Sequence, residues 1–425
     1  MYFGAFFAKS TKIGSMDDDR RRVTAFFFVV AGGVVYAALT FVWFSLPAYL
    51  SVIIEEIGLT GTEAGILVGA VPLTYIPLAL FSGLAVDRIG PSRSLAIALV
   101  IFGTAQWARS FATDFATLLV ATLMLGVGAT IVTFGLPKLV AVLFPPDQTG
   151  VPSSIYLVGS AAGSGIAYAI GRPVLGPLLG GWRPLFYWSG IGILIGAIIW
   201  ILLVWRLWPE NSTAGGPSSL DVSRIRQDLT IVLTHRELRL VVVLGMTYLL
   251  VIHGLQGWLP TILESRGMSP TWAGYATTLL VAANVAGVLT IPGLADRYSA
   301  RRLAVMSSSA VVGLGAFAIM IGDTTVIAIG GIIAAGIGVG GLSPMVRAIP
   351  PALDGIGARR TATAVGLVFA VGEVGGFFGP LLIGMLYDLT ASYTPGLAIL
   401  TFSGVTALIA GNRLRSIDKP TALPS

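Results

Sequence analysis

The sequence predicts an all-α membrane protein: twelve transmembrane helices forming two pseudo-symmetric six-helix bundles. Three observations predict it, namely the scarcity of charge, the spacing of the uncharged windows, and a repeat at one fixed offset. The chain has 425 residues, 55% of them hydrophobic and only 11% charged, and its mean hydropathy is +0.87. A soluble domain carries about 25% charged residues, so this chain lacks the charge to cover a water-exposed surface and calls for lipid as a second solvent. There is no cysteine, which excludes a disulfide framework and any thiolate metal site. Two histidines, His235 and His253, offer little for a zinc or iron centre.

Charge-free windows run 23–54, 64–86, 94–108, 115–137, 148–171, 184–205, 240–263, 267–295, 303–322, 324–346 and 389–412, and a twelfth, 361–387, is interrupted only by Glu373. A spanning helix needs about 20 mainly apolar residues at about 1.5 Å rise each, and most windows meet that length. The third window is short, but Arg109 can snorkel its head toward the interface while the helix continues. Glycines recur inside the windows, as in Gly159-Ser160-Ala161-Ala162-Gly163-Ser164-Gly165. In lipid, small residues let helices approach closely and pack.

Orientation follows from the basic residues. With the N-terminus inside, 22 of the 26 Lys and Arg fall on the cytoplasmic side, and only Arg109, Arg172, Arg183 and Arg266 fall outside. That split obeys the positive-inside rule. It places the chain as a multi-pass protein of the cytoplasmic membrane with both termini in the cytoplasm. It also traces the pI of about 9.6 to topology, so no nucleic-acid partner is implied. No basic stretch precedes the short apolar run Tyr2–Ala8, so Met1–Ser15 does not read as a cleavable signal, and Met16 is an alternative start.

The longest polar stretch, 206–239, contains Asn211-Ser212-Thr213-Ala214-Gly215-Gly216-Pro217 and separates six windows from six. The expected organisation is an N-terminal segment 1–22, bundles 23–205 and 240–412 joined by a cytoplasmic linker 206–239, and a tail 413–425. Internal similarity supports the division. Gly58-Leu59-Thr60-x-Thr62-x-Ala64-Gly65 returns as Gly267-Met268-Ser269-x-Thr271-x-Ala273-Gly274, and Asp87-Arg88 returns as Asp296-Arg297, both at an offset of 209. N-capping by the Ser or Thr explains each motif singly. It does not explain the shared offset.

Gly83-Leu84-Ala85-Val86-Asp87-Arg88-Ile89-Gly90-Pro91-Ser92-Arg93 resembles the loop motif of the major facilitator superfamily, with Pro91 and Ser92 in place of the usual basic pair. The second copy, Leu294-Ala295-Asp296-Arg297-Tyr298-Ser299-Ala300-Arg301-Arg302, keeps that pair and has Pro292 where the first glycine would fall. The resemblance covers nearly the whole chain. It implies a secondary transporter in which one bundle rocks against the other around a midplane site, and it implies that Asp87 packs against the opposite half as a gate contact. Lys138 and Arg347 each sit late in their spans, near the cytoplasmic surface by residue count. Asp87, Arg88 and Lys138 are therefore expected as one inner-gate cluster, and Asp296, Arg297 and Arg347 as the other. Ordinary positive-inside anchoring is the competing reading. Depth argues against either cation binding an anionic substrate, and Arg109 and Arg172 read as outer-rim residues. Nitrate-type members of the superfamily carry basic residues inside spans 2 and 8; here 64–86 and 267–295 contain none.

Glu373 falls at the midplane of span 11, where an ionised carboxylate is costly and should pair, face water or take up a proton. It is the expected proton-coupling residue, with His253 in span 7 as a second candidate. Each could instead be a structural group bonded to a neighbouring helix. The resemblance places spans 1, 4, 7 and 10 around a cavity, whose polar and aromatic options are Tyr36 and Trp43, Thr130 and Thr133, His253, Gln256 and Trp258, and Ser343. Asn284 in span 8 also lies near the midplane. Gly176-Pro177-Leu178-Leu179-Gly180-Gly181 is similar to the end of an antiporter motif, but Arg172 breaks the glycine spacing upstream. The glycine-rich runs lack a P-loop lysine, and no nucleophile constellation points to an enzyme. The reading is alternating-access transport of a small polar organic solute, an organic anion among the options, coupled to protons, by a monomer in the bilayer that uses no cofactor. Proton-driven efflux of a more apolar compound, or a transporter-like sensor, stays open.

Overall fold

The computed structural model describes residues 16–208, 234–322, 325–353 and 356–414. The segment 1–15, linker residues 209–233 and the tail from 415 lie outside them. The described residues form long helices: α1 Met16–Ala48, α2 Gly61–Ile89, α3 Pro91–Arg109, α4 Phe115–Leu143, α5 from Gly150–Ile166, α6 Trp182–Leu207, α7 Arg236–Ser265, α8 Pro270–Arg297, α9 Arg301–Ile321, α10 Thr325–Ala352, α11 Gly357–Thr390 and α12 Thr394–Arg413. Eleven of them are long and apolar enough to cross a membrane. The remaining one, α3, has 19 residues and carries Arg93, Gln106 and Arg109. It completes the set of twelve by packing on α4 and α6.

Local sequence explains where these helices start. Thr60 and Glu63 form a reciprocal capping box on α2, Asp114 caps α4 through Thr117 N–H, 2.9 Å away, and Ser269 caps α8. The chain turns into α2 and α8 through Gly58 (φ 74°) and Gly267 (φ 87°), both left-handed positions that glycine adopts without a Cβ penalty. The repeated motif is thus a turn glycine plus a cap. Its last glycine has a further use: a Cβ on Gly65 would stand 2.6 Å from the Pro380 carbonyl of α11, and Gly274 lies against the Tyr168 carbonyl of α5.

The two halves pack by the same plan. In the first, α1 lies on α5, α3 on α4, α2 on α4 and α3 on α6; in the second, α7 lies on α11, α9 on α10, α8 on α10 and α9 on α12. Across the halves, α2 packs along α11 and α8 along α5, again a matched pair. These two seams carry the glycine contacts just described.

α5 departs from regular α geometry. Its continuation Ala167–Leu175 is π-helical, followed by a last turn Gly176–Leu179. Pro173 lies inside that segment; it lacks the N–H for the preceding turn and its ring crowds that carbonyl. The widened turn carries Tyr168 and Arg172 toward the second half.

Arg109 corrects an expectation. It is not a rim residue but is 1% exposed. Its guanidinium donates to Val42 O at 3.0 Å, Thr122 Oγ1 at 3.1 Å and Gln106 Oε1 at 3.3 Å. Acceptors on two neighbouring helices, α1 and α4, and on its own helix replace the water that snorkelling would have sought.

Candidate functional site

The centre of the molecule is an aromatic cluster shared by both halves. Trp43 of α1 stacks on His253 of α7, with ring centroids 5.6 Å apart and planes 14° from parallel. Phe44 and Tyr75 also stack on Trp43. The Tyr75 hydroxyl shares a 2.8 Å hydrogen bond with Thr133, and its ring meets Phe369 of α11 edge-on at 5.7 Å. His253 Nε2 is 3.6 Å from Glu373 Oε2. Glu373 is 2% exposed, and that oxygen has no hydrogen-bond partner. Buried polar atoms are nearly always bonded, so this carboxylate oxygen keeps room for one more hydrogen-bonding partner.

Next to this cluster stands Arg347. Its side chain is exposed, yet it is surrounded by tyrosines from three helices. Tyr248 of α7 accepts a hydrogen bond from it and shares another with Ser343, while Tyr36 of α1 and Tyr156 of α5 lie within electrostatic reach. Phe369 lies under the guanidinium, with its centroid 5.9 Å away. Glu373 feels its charge without forming an ion pair with it. The expected pairing of Arg347 with the Asp296 cluster does not occur: Asp296 is held by Arg301 at 2.8 Å. Counting residues locates a Cα, whereas helical side chains lean toward the N-terminal end of their helix. Arg347 therefore leans away from the near end of α10, and Glu373, on the antiparallel α11, leans toward it.

Lys138 does hold Asp87, at 2.9 Å. Both belong to the first half, so this bond lies within one bundle. Arg88 and Arg297 are exposed, and Arg297 lies over the Tyr298 ring. Lys138 and Arg347 stand 209 residues apart, as do Ser92 and Arg301. Where the first repeat has Ser92, Lys138 must serve the loop aspartate; where the second has Arg301, Arg347 is released from that duty.

Other expected residues divide. Tyr36, Trp43, Thr133, His253 and Ser343 gather at the centre as described. Thr130 is fully buried and bonded to Ser82 and the Val127 carbonyl, between α2 and α4. Trp258 is fully buried too, and its indole N–H donates to Pro380 O at 2.9 Å, tying α7 to α11. It is a packing residue. Gln256 receives the Tyr168 hydroxyl on its backbone carbonyl at 2.5 Å, and the backbone of Asn284 lies against Gly336 and Gly340 of α10. Among the described residues no three His, Asp or Glu side chains gather as metal ligands.

The end of the molecule opposite the Asp-Arg loops is tied shut across the halves. Arg172 of α5 forks onto Glu264 of α7, and the Ser51 hydroxyl donates to that carboxylate at 2.7 Å. Asp388 of α11 accepts from the first backbone N–H groups of α2, Gly61 and Thr62, each at 2.7 Å. Sequence reasoning missed Glu264 and Asp388 because each sits at a helix end, where an acid reads as an ordinary solvated residue. It missed Tyr75 and Tyr248 because span 2 was not among those expected to line the cavity and a tyrosine in span 7 passes for membrane packing.

The family model described as Major Facilitator Superfamily matches residues 28–380. The chain is 27% identical to the uncharacterized transporter YycB of Bacillus subtilis (strain 168), over 88% of this chain and 91% of that one. It is also 27% identical to the 3-(3-hydroxy-phenyl)propionate transporter of Escherichia coli (strain K12), over 84% and 85%. Among solved structures, a bacterial homolog of the human lysosomal transporter Spinster, inward-facing and unoccupied, superimposes with a TM-score of 0.76 at 17% identity, covering 94% of this chain and 96% of that one.

Proposed function

The chain belongs to the Major Facilitator Superfamily, and from that premise we propose that it carries a small polar organic anion across the cytoplasmic membrane by alternating access, in symport with protons. The observation that carries this reading is the Glu373–His253 pair: two titratable side chains 3.6 Å apart, one of them a buried carboxyl with an unbonded oxygen. An ionised carboxylate in such a place costs several kcal/mol unless it is compensated. Glu373 is therefore built to hold a proton in one state and give it up in another, and His253 is placed to receive or relay it. The solute class draws support from the relative that transports a phenylpropionate. In this reading the end bearing Lys138 and Asp87 faces the cytoplasm, and the tied end faces outward.

Alternating access then breaks the Arg172–Glu264 and Asp388 ties as the bundles rock. The test is transport in proteoliposomes with an imposed pH gradient. Wild-type protein concentrates solute when the gradient is inward, and Glu373→Gln exchanges solute down its own gradient but no longer concentrates it. Accumulation by the Gln variant equal to wild type would overturn the coupling. Reversing the pH gradient separates uptake from efflux.

A further inference from the structure

The geometry points to Arg347 as the counter-charge of a small aromatic monocarboxylate, cradled by the hydroxyls of Tyr36, Tyr156 and Tyr248 against the Phe369 ring. This rests on the transport reading and names its substrate class. The first support is the broken symmetry. A basic residue at the 138/347 position is spent on Asp87 in one repeat, but in the other Arg301 takes Asp296 and leaves Arg347 without an ion-pair partner among the described residues. A basic side chain inside a helix bundle that has no carboxylate partner and stays exposed faces a water-accessible space, and such a place marks a substrate or ion pathway.

The second support is the company it keeps. A guanidinium presents a planar fork that matches a carboxylate through two parallel hydrogen bonds. One N–H is already used on Tyr248, which anchors the fork. Phenol hydroxyls on α1 and α5 supply donors from the first half, while Arg347, Tyr248 and Phe369 come from the second. An anion bound there touches both bundles. The walls are aromatic: Phe369 meets Tyr75 edge-on, and the Tyr36 and Tyr156 rings lie 6.2 Å apart. They suit a flat apolar body on a single carboxylate rather than a sugar or a dianion.

The same arrangement links substrate to proton. The titratable and charged groups facing Arg347 are Tyr36, Tyr156, Tyr248 and Glu373, with His253 and Tyr75 just beyond Glu373. When Glu373 is ionised it already supplies the one negative charge that the guanidinium can balance. When Glu373 is protonated that charge is missing, and a substrate carboxylate replaces it. Glu373 then holds one proton while Arg347 holds one monoanion.

The experiment measures binding without any gradient, so its failure is separable from failure of the coupling. Purified protein in nanodiscs is titrated with benzoate and 3-phenylpropionate and with their neutral amides. The acids are expected to bind at least about tenfold more tightly than the amides, and more tightly at pH 6 than at pH 8. Arg347→Gln should weaken the acids by about 10- to 100-fold, the range for losing hydrogen bonds to a charged group, and Arg347→Lys should restore part of that. In Glu373→Gln the acids should still bind, now with no pH dependence. Amides binding as well as acids, no binding of either acid to wild type, or unchanged affinity in Arg347→Gln would each overturn the assignment. If the Gln variant does not fold, the acid–amide contrast in wild type and the Lys variant decide it. Intact acid binding with lost proton-driven accumulation would count against the coupling alone.

Discussion

Arg172 and Glu264 form a forked, two-bond ion pair that joins the π-helical part of α5 to the end of α7. Their side chains are 9% and 14% exposed. The guanidinium also donates to Ala48 O at 2.9 Å and lies over the Tyr49 ring. Breaking a buried pair by removing one partner costs about 3–5 kcal/mol where burial is complete. This pair should lie at or below the low end of that range. Glu264→Gln is therefore expected to shift the population toward structures open at this end. The chain has no native cysteine, so spin labels at Thr113 and Thr325, both exposed, report the separation of the halves. A longer-distance population should grow in the variant; an unchanged distribution would show that the pair does not hold the seam.

Asp388 makes a second tie of a different kind. Its carboxylate sits on the N-terminus of a helix from the other half, taking two backbone N–H groups and the Thr62 hydroxyl. An anion there gains from both the unpaired N–H groups and the helix dipole. Asp388→Asn should lower the melting temperature and lengthen the same label distances, by less than Asp388→Ala. Combining Asp388→Asn with Glu264→Gln should produce more than the sum of the two shifts if the tied end opens as a unit.

Trp258→Phe separates packing from substrate contact. The substitution removes the bond to Pro380 O and part of a fully buried ring, worth about 1 kcal/mol for the bond and more for the lost volume. Thermal stability should fall, while solute affinity in the folded fraction stays at the wild-type value. A selective loss of affinity with stability intact would place Trp258 in the cavity after all.

The short helix Leu50–Ile57 after α1 supplies a pH-dependent contact. Partial burial pushes the Glu56 carboxyl up, but hydrogen bonds from Arg183 and Trp182, at 2.7 and 2.6 Å, outweigh it and hold the carboxyl below its ordinary value. With the folded value depressed, its stabilisation is fully present above the ordinary glutamate value of about 4.3 and is lost as pH falls through the lower folded value. Glu56→Gln should thus melt below wild type at pH 7, with the gap closing below about pH 4. A gap constant from pH 7 to pH 3 would refute the charge-based account.

The helices were legible because each is a long gap between charges, and the repeat was legible because its turn glycine, cap and close-packing glycine are all small and local. The Lys138–Asp87 contact was legible for the same reason, since both lie at one end of neighbouring spans. Arg347 was placed wrongly because residue counting ignores the lean of a long side chain and because Arg301 competes for Asp296. Arg109 reads as a rim residue because the helices that supply two of its acceptors, α1 and α4, meet it only through tertiary packing. Tertiary pairing of this kind leaves no periodic trace.

The wide turn of α5 gives the tied end a mechanical property. Tyr168 and Arg172 sit on one π-helical stretch, and each holds a different point of α7. Rewinding that stretch by one residue into α geometry would swivel both side chains by about 100° around the axis, the rotation per residue of an α-helix. A single screw-like slip of backbone, needing no unfolding, would unlatch both attachments together.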